Sequence, residues 1–176
     1  MQKLTVSVIR SFIMKIKKTV ILGFLISVAI ALQIFEANIP IPMPVPGGKL
    51  GFANIVTIIT IVMFGSKSAI IVAILRSILG SLMYGGFIHG IYSFTAALGS
   101  ALLMAILYKH CSKFSLIGIC VSAALLHNFL QVAVAAVIFG NPAVFTYYPV
   151  LMLISIPCGM LTGIISEYVK NIIYKK

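Results

Sequence analysis

Residues 114–166 read FSLIGICVSAALLHNFLQVAVAAVIFGNPAVFTYYPVLMLISIPCGMLTGIIS and contain no charged side chain. A helix that crosses the hydrocarbon core of a bilayer needs about 20 mostly apolar residues, so this run is too long for one crossing. Gly140-Asn141-Pro142 sits inside it and is the kind of breaker that separates two helices. The spacing predicts one spanning helix over about 115–139 and another over about 147–168.

Upstream, four more stretches carry the same signal. Thr19–Phe35 is uncharged; Leu50–Ser66 is a shorter second span; Ser68–Tyr84 is interrupted only by Arg76; and Phe87–Tyr108 follows the Gly85-Gly86 break. The expected fold is an all-α integral membrane protein, a bundle of six transmembrane helices. Its single membrane domain covers 19–168, between a basic segment 1–18 and a basic tail 169–176. Composition agrees: of 176 residues, 61% are hydrophobic and 9% charged, against about a quarter charged in a soluble domain. A soluble globule, a disordered chain and a basic-faced nucleic-acid binder are thereby excluded.

The net charge of +11 is then a statement about topology. With the N-terminus in the cytoplasm, 11 of the 13 Lys and Arg fall on inner segments: Lys3, Arg10, Lys15, Lys17, Lys18, Lys67, Lys109, Lys113, Lys170, Lys175 and Lys176. The expectation is N-in, C-in. Tyr84, Tyr147 and Tyr148 mark outer ends, and Tyr108, Tyr168 and Tyr174 inner ends. Met14-Lys15-Ile16-Lys17-Lys18 before an apolar run looks like a membrane protein's start, with residues 1–13 as an interfacial extension. No small-residue cleavage site follows that run, so helix 1 is expected to be retained.

Glu36 and Glu167 are the only acids, and there is no Asp. That removes most metal-dependent and paired-carboxylate chemistry. The chain has no G-x-x-x-x-G-K-[ST] loop for ATP. Cys111, Cys120 and Cys158 have no zinc spacing and read as packing residues. No metal, no cofactor and no catalysis by the chain alone are expected.

Polar groups within the spans are expensive and so informative. Arg76 lies near mid-depth of its span. It either pairs with Glu36 or helix carbonyls, or faces an anionic or strongly polar ligand. His127, Asn128 and Gln131 lie mid-span, with His127 and Gln131 on one helix face. They either bond to neighbouring helices or line a site. Ile39 to Lys49 holds four of the seven prolines, alternating with apolar residues. It must be extended and stiff, either a rigid connector or a lid over an outward-facing pocket. Glu36, Asn38, Lys49 and Asn54 gather around that loop, with His89, Tyr92 and Tyr148 also at outer helix ends. Small residues recur every fourth position in Gly23, Ser27 and Ala31, in Ala97, Ala101 and Ala105, and in Gly159 and Gly163. Such stripes permit close helix approach, within the bundle or to a partner.

The runs Phe35-Glu36-Ala37-Asn38-Ile39-Pro40 and Pro46 to Val56, with Leu75 to Leu82, His127 to Gln131 and Tyr148 to Leu151, resemble the bacterial family labelled heptaprenyl diphosphate synthase component I, also called the Gx transporter family. The resemblance covers about residues 19–168. It implies a multi-pass protein of the bacterial cytoplasmic membrane. It also implies likeness to the substrate-binding S-components of energy-coupling factor transporters: six-helix bundles whose small-residue face on helix 1 docks a transmembrane coupling protein carrying two ATPases. Gly23, Ser27 and Ala31 occupy that helix. A prenyl diphosphate synthase needs aspartates to hold Mg²⁺ against the diphosphate, so a chain without Asp is at most an accessory subunit.

The expected function is uptake of a small vitamin-like or cofactor-precursor molecule. The candidate substrate contacts are Glu36, Asn38, Lys49, Asn54, Arg76, His127, Asn128 and Gln131, and the docking face is Gly23, Ser27 and Ala31. The alternatives are a non-catalytic subunit of heptaprenyl diphosphate synthase and a stand-alone facilitator.

Overall fold

The computed structural model describes residues 2–38, 51–84, 86–111 and 113–174, with side chains from residue 12 onward except those of Tyr84 and His89. Its elements in chain order are α1 (Gln2–Ala37), α2 (Asn54–Phe64), α3 (Ser66–Tyr84), α4 (Gly86–His110), α5 (Leu116–Phe139), a 3-10 turn (Pro142–Tyr147) and α6 (Tyr148–Tyr174). The proline-rich loop and Lys49 lie outside the described residues, as does the side chain of His89.

The breakers act where the chain chemistry puts them. Ser115 caps α5 by accepting from the Gly118 N–H at 3.1 Å. Gly140, at φ +60, ends the helix in the left-handed conformation that glycine adopts without strain. Asn141 then accepts from the Ala143 N–H at 2.9 Å, turning the chain into α6. The long uncharged run therefore folds as two helices, and these two make the most extensive helix contact of the molecule.

Five helices are long and apolar enough to cross a membrane, beginning with residues 12–37 of α1. The chain is a multi-pass helical membrane protein. The second of the six expected spans is α2. This helix has only 11 residues, about 16 Å, roughly half of a hydrocarbon core. The apolar run that suggested a full span includes Gly51, whose φ of +90 turns the backbone inside the bundle before α2 begins. Residues 2–18 are helical and run on without a break into the first span.

The short helix is central. α2 packs against α1, α3, α4, α5 and α6, while the outer helices touch in the order α1, α3, α4, α5, α6. Among the described residues α1 and α6 do not meet. The lower half of α2 is apolar: Ile58, Ile61 and Val62 pack with Met104 of α4 and Ile119, Cys120 and Ala123 of α5. Tyr174 at the end of α6 donates to the Val62 carbonyl at 2.9 Å. Lys18 lies 5.8 Å over the Phe64 ring, so a cation and the last turn of α2 share one level. The upper end of α2 is different in kind, and the candidate site is built there.

Candidate functional site at the start of the central helix

Depth places the site. Asn54, at the first turn of α2, meets Arg76 of α3. Eight residues of α3 continue beyond Arg76, about 12 Å, and 12 residues of α5 beyond His127, about 18 Å. On the same side α1 ends at Ala37, one residue after Glu36. Two helices thus stop at this level while α3, α4, α5 and α6 run on. The start of α2 is buried near mid-bundle rather than at a surface.

A chain of hydrogen bonds crosses the bundle at that level. Arg76 Nη2 donates to Asn54 Oδ1 at 2.9 Å. Ser100 Oγ of α4 approaches the same oxygen at 3.4 Å and also donates to the Ala97 carbonyl at 3.1 Å. His127 Nδ1 lies 3.4 Å from Ser100 Oγ, and His127 Nε2 lies 3.2 Å from Gln131 Nε2. With the Gln131 amide donating, Nε2 is the acceptor and a neutral ring carries its proton on Nδ1, facing Ser100. From α1, Gln33 completes the set. In the amide orientation that satisfies both groups, its nitrogen donates to the Arg76 carbonyl and its oxygen accepts from Arg76 Nη1, each at 3.2 Å. Glu36 accepts from the Gly51 N–H. Gln33, Glu36, Asn54, Arg76, Ser100, His127 and Gln131 are all buried.

Burial explains why Arg76 needs such partners. Arg76 is 1% exposed, and an isolated guanidinium at that depth is strongly unfavourable unless its donors are met. Gly51 is required by geometry as well as by φ. A Cβ there would come within 3.0 Å of Asn54 Nδ2 and 3.6 Å of His127 Cδ2. Glycine lets the backbone pass between the two side chains and present its N–H to Glu36.

Of the expected contacts, Glu36, Asn54, Arg76, His127 and Gln131 come together here. Asn128 lies at the same level but turns towards α6, where its Nδ2 donates to Ser155 Oγ. Asn38 is not brought to the cluster: it is exposed, and its amide donates back to the Ile34 carbonyl at 2.7 Å. Lys49 lies outside the described residues. Tyr148 is half-buried at the start of α6, its ring edge-on to Phe129 at 5.5 Å. Sequence reasoning passed over Gln33, Gly51 and Ser100. Gln33 was visible as a polar residue in an apolar span. Ser100 looks like any small packing residue, and Gly51 like an ordinary loop glycine.

The stripes resolve into two kinds. Ala97, Ala101 and Ala105 are buried, and Gly159 and Gly163 pack against the α5 backbone. Gly23, Ser27 and Ala31 are exposed, on the side of α1 opposite buried Ala29, Gln33 and Glu36. Among the described residues no group of His, Cys, Asp and Glu is arranged to hold a metal ion.

The comparisons bear on the chain as a whole. No curated protein and no solved structure gives a match. A family profile described as heptaprenyl diphosphate synthase component I matches residues 25–169. That match takes in the last part of α1 and everything through most of α6, the hydrogen-bonded cluster included. The chain belongs to the heptaprenyl diphosphate synthase component I family.

Proposed function

We propose that this protein is a ligand-binding membrane subunit of an uptake system, working in the manner of an energy-coupling factor S-component. The observation that carries this is the fully buried polar network at the start of a half-length central helix. A bundle that only had to be stable would fill that level with apolar side chains, since a buried charge seldom repays its desolvation. The four helices that run on past this level would wall a pocket over the network, open to the outside in the N-in, C-in orientation that the cation distribution favours. Glu36, Asn54, Arg76, His127, Asn128 and Gln131 are the proposed ligand contacts, and Lys49 and Asn38 would serve at the rim.

Motion would come from a partner. The exposed Gly23, Ser27 and Ala31 face suits a transmembrane coupling protein bearing two ATPases, because small residues let two helices approach closely. Purification from native membranes tests this. A coupling protein and an ATPase pair are expected with the wild type and absent with Ser27→Leu. Their absence from the wild type, with uptake intact in Ser27→Leu, would overturn the reading.

The family match favours a second reading, a non-catalytic membrane subunit of a heptaprenyl diphosphate synthase. The chain has no Asp with which to hold Mg²⁺ on a diphosphate, so a soluble partner would supply the catalytic site. Synthase activity that rises on adding this protein to the soluble subunit in vesicles would support that role. Unchanged activity would count against it. A stand-alone facilitator would instead show ATP-free transport by the purified chain.

A further inference from the structure

The orientation of two buried amides states what kind of molecule the site is built to hold; this inference rests on the ligand-binding reading and deepens it. Arg76 can only donate hydrogen bonds, so the Asn54 atom against its guanidinium must be the oxygen, which Ser100 also approaches. Asn54 Nδ2 is thereby turned away from Arg76, towards Gly51 and the His127 ring. It has no hydrogen-bond partner among the described residues, although Asn54 is 2% exposed. The second amide is fixed by the same logic. Ser155 spends its hydroxyl proton on the Leu151 carbonyl at 2.6 Å. The Asn128 atom facing that hydroxyl is therefore the donor, Nδ2. Asn128 Oδ1 is left as an acceptor without a partner among the described residues, on a fully buried side chain.

A buried amide donor and a buried amide acceptor are thus left over at one level of the bundle, the second on the residue next to His127. Leaving each unmade costs about 1–3 kcal/mol. Ionised groups set a further limit. Among the described residues, Arg76 and Glu36 are the buried cation and the buried anion of the site, so a ligand with net charge would unbalance it at a depth where charge is expensive. We infer that the site takes an uncharged molecule carrying both a carbonyl-type acceptor and an N–H donor, as in a carboxamide, lactam or cyclic imide. The acceptor meets Asn54 Nδ2 and the donor meets Asn128 Oδ1.

Two measurements on the purified full chain in lipid nanodiscs decide this. Small molecules released on denaturation are identified by mass spectrometry, and thermal unfolding is followed with uracil, nicotinamide, orotate and nicotinate as probes. An uncharged amide-type molecule is expected in the released fraction, or a rise in unfolding temperature with uracil or nicotinamide that orotate and nicotinate do not give. Asn54→Asp keeps the oxygen that Arg76 needs and removes the donor. It should weaken binding of the stabilising molecule by about tenfold or more, with helicity by circular dichroism unchanged. A carboxylate, phosphate or ammonium compound in the released fraction, or stabilisation by orotate and nicotinate alone, overturns the ligand class and leaves the ligand-binding reading standing. Nothing released and no shift with any probe overturns both.

Discussion

Of the helices that carry small residues four positions apart, the structure uses two, α1 and α6, in opposite ways. On α6, a Cβ added at Gly159 would lie 2.6 Å from Val121 Cα, and one at Gly163 would lie 2.4 Å from Ile117 Cα. The α6 backbone rests directly on that of α5. On α1, an added Cβ at Gly23 would meet nothing within 4 Å, and Ser27 and Ala31 are likewise exposed. What holds α1 is its other face. Ala29 packs against α2 and α3, and Gln33 and Glu36 tie it to Arg76 and Gly51. One helix is fastened by close backbone packing, the other by apolar contact plus a few polar ties. A small-residue spacing therefore says that a helix can be approached closely, not by what.

That contrast can be broken at its polar end first. Arg76→Ala should have the largest effect, because it leaves Asn54 Oδ1 and Gln33 buried without their shared partner. The expected loss is about 3–5 kcal/mol, measured by detergent titration of helicity, with α1 becoming accessible to protease before α6. If α1 and α6 loosen together, the polar ties are not what fastens α1. Gly163→Ala attacks the other helix. Its Cβ would collide with backbone that cannot rotate away, so a loss of about 3 kcal/mol is expected in the same titration.

Gly51→Ala comes next. It imposes a left-handed conformation on a residue with a side chain and crowds Asn54 Nδ2, at a cost of about 2 kcal/mol. Thermal stability should fall, and ligand retention should fall further than stability alone explains. Gly23→Leu should have the smallest effect on the isolated protein, within about 0.5 kcal/mol. Under the transport reading it should nevertheless abolish co-purification of the coupling partner. A large loss of stability in Gly23→Leu would show that the α1 stripe packs internally, against the contrast drawn above.

Much of the fold is legible without coordinates. An uncharged run from Phe114 to Ser166 with Gly140-Asn141-Pro142 inside it admits only two helices, because length and backbone chemistry are local properties. Arg76, His127, Asn128 and Gln131 could be singled out for a similar reason: a polar group in an apolar span is conspicuous whatever it touches. Asn38 lies apart from the cluster because a polar residue at a helix end can turn to a carbonyl of its own helix, as it does to Ile34, and no spacing rule reveals which way it turns. Ser100 escaped notice because its role depends on its neighbours across the bundle.

The sequence by itself determined that this is a multi-pass helical membrane protein, where its long helices break, and that it lacks the aspartates of a diphosphate-binding enzyme. Each of these follows from residue type and run length along the chain. Only the tertiary structure decided that α2 is a half-length helix starting within the bundle, that Arg76 meets Asn54 and Gln33, and that the α6 stripe is used while the α1 stripe stays open. Those outcomes depend on which side chains share a level after packing, and residues as distant as Gln33, Arg76 and His127 come together only when the helices are assembled.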